Sequence, residues 1–147
     1  MKIYLGYDHA GQSLKEPVLA VLAELGHEAK DFGSKGDNND DYPDFAQKVA
    51  EKVQKDPASR GILMCGTGVG MAMVANKFHG IRAAFADSVE LARLGRAHND
   101  ANILTMAGRM TNEEVAKNIV KTFLETLFEG GRHERRVNKI TALENKL

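Results

Sequence analysis

The chain has 147 residues, a mass of 16.1 kDa, and twenty Lys and Arg set against twenty Asp and Glu, so its formal net charge is zero. That length fits one domain spanning 1–147, long enough to bury roughly 68–70% of the unfolded surface without staples. Neutrality excludes a global basic field for nucleic acid or membranes, and a content of 43% apolar and 27% charged residues excludes a disordered chain. The single cysteine excludes an internal disulfide and a cysteine-rich zinc site. No apolar run is long enough for a membrane span or a secretory leader, so a cytoplasmic protein is expected.

Residues 2–7 form a β-prone run that ends at Asp8-His9-Ala10-Gly11. Residues 13–25 follow with Leu14, Val18, Val21, Leu22 and Leu25 at helical spacing, closed by Gly26. A short strand is predicted over 27–32, then a polar loop over 33–41. Residues 42–55 read as a helix with Phe45, Val49 and Val53 on one face, and 61–65 as an apolar strand. The glycine-rich run Gly66-Thr67-Gly68-Val69-Gly70 leads into a helix over 71–78. A strand over 81–85 precedes a helix over 88–98, capped by Asp87 or Ser88. The fifth strand is predicted over 102–106, and Thr111-Asn112-Glu113-Glu114 opens a helix to 128 with a capping-box pattern. Gly130-Gly131 interrupts it, and a last helix covers about 132–147.

Five strands alternating with helices predict a parallel sheet buried on both faces. The expected fold is a doubly wound α/β three-layer sandwich of flavodoxin- or Rossmann-like order, with an extra C-terminal helix. In such sheets ligands bind outside the carboxyl ends of the strands. Asp8 and His9 stand at one such end, either in the ligand crevice or as a solvated turn with Asp8 capping a helix. Cys65 and the Gly66–Gly70 loop stand at another. Three glycines in five residues admit close backbone approach, and N–H groups at a helix start favour an anion. No Lys-Ser/Thr follows and the full dinucleotide fingerprint is absent, so a small oxyanion suits the loop better than a pyrophosphate. A thiol beside that potential is activated as a nucleophile or proton-transfer base; the plainer alternative is a small buried hydrophobe. His98 and Asn99 end the helix over 88–98, where a histidine also suits the helix dipole. Arg109 follows the fifth strand. Arg132 and Arg136 are four apart on one helix face, and their forked donors suit a phosphate better than a merely solvated basic face would require.

Asp8-His9-Ala10-Gly11, Asp41-Tyr42-Pro43, Cys65-Gly66-Thr67-Gly68-Val69-Gly70, His98-Asn99-Asp100-Ala101-Asn102 and Gly130-Gly131-Arg132-His133-Glu134-Arg135-Arg136-Val137 resemble, in order and spacing, the type B ribose-5-phosphate isomerases. That family includes galactose-6-phosphate and allose-6-phosphate isomerases, and the resemblance covers essentially the whole chain. It implies an aldose–ketose isomerase of the pentose phosphate pathway that needs no metal or other cofactor and acts on a small sugar phosphate. It implies Cys65 as the base between C1 and C2, and His98 as the ring-opening residue assisted by Asp8. The backbone of Gly66, Gly68, Val69 and Gly70, with Thr67, becomes the hole for the enediolate. His9, Arg132 and Arg136, joined by Arg109, become the phosphate clamp, and Tyr42 and Asn99 become substrate contacts. Met71-Ala72-Met73 departs from the smaller or β-branched residues expected there, which bears on the pocket floor. A hexose-phosphate isomerase is the alternative, and a non-catalytic sugar-phosphate sensor on the same fold a further one. A response regulator is set aside, because Cys65 stands where its phospho-accepting aspartate belongs. A thiol hydrolase would need a histidine–carboxylate pair orienting the thiol.

The segment 130–147 is expected to be a phosphate-binding and dimerisation tail. Val137, Ile140, Leu143 and Leu147 form an apolar stripe on a helix too short to stand alone in water. The core has its covering helices already, so the tail is expected to swing out and pack against a second copy in a homodimer, or a dimer of dimers.

Overall fold

The structure is a computed structural model and describes residues 1–146. Five parallel strands, β1 (Lys2–Tyr7), β2 (Glu28–Asp31), β3 (Arg60–Cys65), β4 (Ala83–Phe85) and β5 (Ile103–Ala107), form one sheet in the order β2-β1-β3-β5-β4. Six helices surround it: α1 (Lys15–Glu24), α2 (Tyr42–Lys55), α3 (Val69–Ala75), α4 (Val89–Asn99), α5 (Glu113–Glu125) and α6 (Arg132–Glu144). A single 3-10 turn, Gln12–Leu14, leads into α1.

Strand alternation sorts the core into two layers. Ile3, Leu5 and Tyr7 of β1, with Ile62, Met64, Leu104 and Met106, pack against α1, α4 and α5 through Val18, Leu22, Ala92, Ile119 and Phe123. On the other face Tyr4, Leu63, Cys65 and Ile103 meet Ala46, Val49, Val53, Met71 and Ala75 of α2 and α3. The three-layer α/β sandwich with an added helix is therefore as expected. The outer strands depart from flavodoxin order: β5 lies beside β3 and β4 takes the edge. Burial explains this, since all five residues of β5 are buried while the three of β4 are only half-buried. β4 also starts later than the sequence pattern, because the Arg82 N–H donates to the Asn102 side chain at 2.8 Å instead of joining the ladder.

Two predicted caps resolve by one residue. Ser88 accepts from the Leu91 N–H and caps α4. Asn112, not Thr111, accepts from Val115 N–H and caps α5.

The tail differs from expectation. Gly130 and Gly131 both have positive φ and turn the chain back, so α6 packs on α4 of the same chain. His133 and Val137 are buried there, and Glu144 accepts from the Gly80 N–H at 2.9 Å. Ile140 and Leu143, further along the predicted stripe, remain exposed; its last member, Leu147, lies outside the described residues. No helix among the described residues is long and apolar enough to cross a membrane.

Candidate active site

The carboxyl ends of β1 and β3 and the loop after β5 open into a cleft of about 410 Å³. Asp8, His9, Ala10, Tyr42, Cys65, Gly66, Thr67, Val69, Gly70, Met73 and Arg109 line it. Its volume suits a small ligand.

Cys65 is the last residue of β3, held between β1 and β5 in the ladder. Its carbonyl accepts from the Gly108 N–H at 2.7 Å, which ties the strand end to the loop carrying Arg109. The free thiol is buried, and the Gly68 N–H donates to Sγ at 3.2 Å. That donor exists because Gly68 adopts φ +76°, and a Cβ there would sit 2.8 Å from the Met106 carbonyl carbon. The helix after the loop begins at Val69, earlier than the predicted 71, so Gly70 stands in its first turn. Val69 N–H donates to Thr67 Oγ1 at 3.3 Å, and Ala72 N–H returns to the Gly68 carbonyl. The N–H groups of Gly70 and Met71 precede the first intrahelical bond and need acceptors from elsewhere. Tyr42, at the start of α2, closes the wall, because a Cβ on Gly70 would lie 2.6 Å from its ring. The methionines divide: Met71 is fully buried in the core, whereas Met73 is exposed and lines the cleft.

Of the two readings offered by the sequence, Asp8 takes the place in the crevice: it is buried, and it braces the turn after β1 without capping a helix. Its Oδ1 accepts from the N–H groups of Ala10 and Gly11, both at 3.0 Å, and the buried residue still borders the cleft. His9 is fixed by a partner the motif analysis did not select. Asp40 Oδ1 accepts from the His9 N–H at 3.1 Å and lies 2.7 Å from Nδ1. Burial acts to raise the Asp40 pKa. Hydrogen bonds from Ser34 and His9 outweigh it and hold the carboxyl below the usual range. Nothing at the level of residue pattern singles Asp40 out of its polar loop; only the fold brings it to His9.

His98, Asn99, Arg132 and Arg136 do not reach this cleft within one chain. His98, at the end of α4, stacks on His133 with ring centroids 4.0 Å apart and planes 7° from parallel. One carboxylate oxygen, Glu129 Oε2, lies 3.7 Å from His98 Nε2 and 3.3 Å from His133 Nε2. Glu129 and His133 are four residues apart, the one sequence signal that could have joined them. Arg132 and Arg136 are exposed on the first turns of α6 beside this group. Asn99 borders a different and larger cavity, about 500 Å³, between the β4 edge and the outer half of α6. That cavity is mainly apolar and holds none of the residues around Cys65.

Two sets of side chains carry metal-ligand atoms, His98-Glu129-His133 and Asp8-His9-Asp40. In the second, Asp8 Oδ1 accepts the N–H groups of Ala10 and Gly11, and Asp40 Oδ1 accepts the His9 N–H and faces its Nδ1.

Residues 3–140 match the model of the family described as Ribose/Galactose Isomerase. Ribose-5-phosphate isomerase B of Escherichia coli K12 is 45% identical over 145 residues, covering 99% of this chain and 97% of the relative. The solved ribose-5-phosphate isomerase B of Clostridium thermocellum superposes with a TM-score of 0.95 at 47% identity, covering 99% of both chains. That of Mycoplasma genitalium, solved with bound ribulose-5-phosphate, gives a TM-score of 0.95 at 42% identity, covering 99% of this chain and 97% of the other. The chain belongs to the ribose/galactose isomerase family.

Proposed function

We propose that this chain interconverts ribose 5-phosphate and ribulose 5-phosphate. The observation that carries the reading is Cys65, a buried thiol at a strand end that accepts an N–H from a glycine loop, in a cleft shared with His9 and Arg109. The names of the relatives, and the ribulose-5-phosphate held by one of them, support the pentose over the hexose alternative.

Each step of that reaction has a group in this chain to serve it. Opening the furanose breaks the C1–O4 bond: O4 gains a proton, O1 loses one, and C1 becomes the aldehyde. His98 and Asp8 are the groups assigned to those two transfers. Cys65 as base then takes the C2 proton, the electron pair forms the C1–C2 double bond of an enediolate, O1 gains a proton as O2 loses one, and the proton held by Cys65 returns to C1 as C2 becomes the ketone. Carbon C1 is reduced as C2 is oxidised, so the reaction balances without an external redox partner. Backbone N–H groups of the Gly66–Gly70 loop and Thr67 stabilise the enediolate oxygen, usually the largest single contribution to such catalysis. His9, Arg109, Arg132 and Arg136 bind the unreacting phosphate and orient the sugar. Tyr42 and Asn99 bear on its hydroxyls.

The two groups of site residues lie apart in one chain, and this supports a composite site. In a two-fold homodimer, the His98, Asn99, Arg132 and Arg136 of a second copy face the Cys65 cleft of the first. The exposed Ile140 and Leu143 give such an interface apolar area. Phosphorylated sugars are retained inside cells, in keeping with a cytoplasmic enzyme. The test is an isomerisation assay on ribose 5-phosphate, allose 6-phosphate and galactose 6-phosphate side by side. The reading expects the pentose to dominate kcat/KM; absence of ribose 5-phosphate turnover would end it.

A further inference from the structure

His98, the residue assigned to ring opening, is built into an arrangement larger than that role requires. His133 lies flat against it at 4.0 Å and is buried, with its side chain 9% exposed against 36% for His98. One oxygen of Glu129 lies 3.3 Å from the His133 Nε2 and 3.7 Å from the His98 Nε2, within ion-pair distance of both rings. We propose that His133 and Glu129 are positioning residues for ring opening, His133 as the flat support that fixes the plane of His98 and Glu129 as the carboxylate that fixes its rotation. The inference rests on the reading of the chain as a sugar-phosphate isomerase.

A histidine at the last turn of a helix, more than a third exposed, would sample several rotamers. Proton transfer tolerates little misplacement: an error of about 1 Å can cost on the order of 10²-fold. A parallel ring removes rotation about χ2, and a carboxylate oxygen beside Nε2 selects one of the two flipped orientations. The electrostatics agree. Two stacked imidazoles cannot comfortably both be cationic, and one carboxylate balances a single charge. At His133 burial, then the charges of His98 and Arg132, lower the pKa, with Glu129 opposing. Glu90 and Arg93 of α4 and Arg132 and Arg136 of α6 complete the charges around the pair. Glu90 and Arg93 pair with each other, and the two arginines of α6 add positive charge, so Glu129 is the carboxylate that faces both rings.

This arrangement also ties two functions to one element. His133 stands between Arg132 and Arg136 on the first turns of α6. Docking α6 on α4 therefore sets the support of His98 and the two clamp arginines in a single step.

The test uses the full chain with His133→Ala, His133→Phe and Glu129→Gln. Turnover of ribose 5-phosphate needs the ring opened. Exchange of the C1 proton of ribulose 5-phosphate with D2O, followed by NMR, does not, because the esterified O5 prevents that ketose from closing a five-membered ring. Expected for His133→Ala is a fall in kcat of about 10²-fold, with KM within about threefold and the exchange rate likewise retained. His133→Phe restores the flat support and should recover at least about tenfold of that loss. Should His133→Ala not fold, by its melting curve, Glu129→Gln carries the test. Its side chain is half-exposed, and it should lose about tenfold in turnover with exchange intact. The proposal is overturned if turnover survives in these variants, if exchange falls as far as turnover, or if phenylalanine does no better than alanine. A parent protein that neither turns over ribose 5-phosphate nor exchanges the ketose proton would instead refute the isomerase reading.

Discussion

Replacing Cys65 by alanine separates chemistry from packing in the proposed mechanism. The thiol is 5% exposed, and its sulfur is about as large as one buried methylene, worth roughly 0.8 kcal/mol. The Gly68 N–H loses its acceptor, which costs about 1 kcal/mol at the edge of a cleft that water can enter. Cys65→Ala should therefore lose about 1–2 kcal/mol of stability and remain folded. Removing a general base costs on the order of 10²–10⁴ in kcat, which at 1.36 kcal/mol per decade is roughly 3–5 kcal/mol of transition-state stabilisation. Affinity should hardly change, because the phosphate contacts lie elsewhere, so KM is expected within a few-fold. Cys65→Ser keeps an acceptor for Gly68 and most of the volume, and should recover the stability without the turnover. Initial rates on ribose 5-phosphate and urea denaturation of the three proteins measure both quantities. An alanine variant with turnover within about tenfold of the parent would refute the assignment of Cys65 as the base.

Gly68→Ala forces a side chain to φ +76° with its Cβ 2.8 Å from the Met106 backbone; a loss of about 2–4 kcal/mol in denaturation is expected, and a neutral result would contradict the strained-loop account. Asp40 is held below its unfolded value of about 3.9, so the stability it contributes is present above that pH and disappears as pH falls through the lower folded value. The difference in stability between the parent and Asp40→Asn should thus be full near pH 5–6 and shrink below about pH 4; a difference constant with pH would show that the Asp40 charge contributes nothing. Ending the chain before Gly130 removes His133, Arg132 and Arg136 together. It should raise KM for ribose 5-phosphate by at least about tenfold and lower the sedimentation coefficient toward the monomer, whereas unchanged values of both would show that α6 is neither clamp nor interface.

Much of this arrangement is legible in the sequence because it is local. Tyr42-Pro43 announces the start of α2, since proline suits a first turn, and the predicted 42–55 coincides with the observed Tyr42–Lys55. The β-prone run of β1 and the apolar run of β3 give both strands, and the glycine cluster locates the cleft. What escapes is pairing over distance. The apolar runs that become β4 and β5 look alike, and only the extent of burial in three dimensions sends the shorter to the edge. Asp40 meets His9 across 31 positions, and nothing in its own loop predicts that. The docking of α6 on α4 escaped for a related reason. Val137 and Ile140 share one apolar stripe in sequence, but the turn at Gly130 and Gly131 buries the first and exposes the second.

The arginines show how a charge run can be told from a binding set once partners are known. Arg82 and Arg96 both pair with Asp100, at 2.9 Å each, and donate to the carbonyls that end α4. Their donors are committed, and they fasten the helix end to the sheet. Arg109, Arg132 and Arg136 form no ion pair among the described residues and are exposed. Like charges at i and i+4 on α6 repel by a few tenths of a kcal/mol. A dianionic phosphate between their guanidinium forks would reverse that sign. The proposed clamp would therefore gain its strength from groups that water keeps cheaply until substrate arrives. The proposed base is the opposite case: Cys65 sits within the sheet ladder, where the rigidity of β1 and β5 on either side would hold the one group whose position the proton transfer cannot compromise.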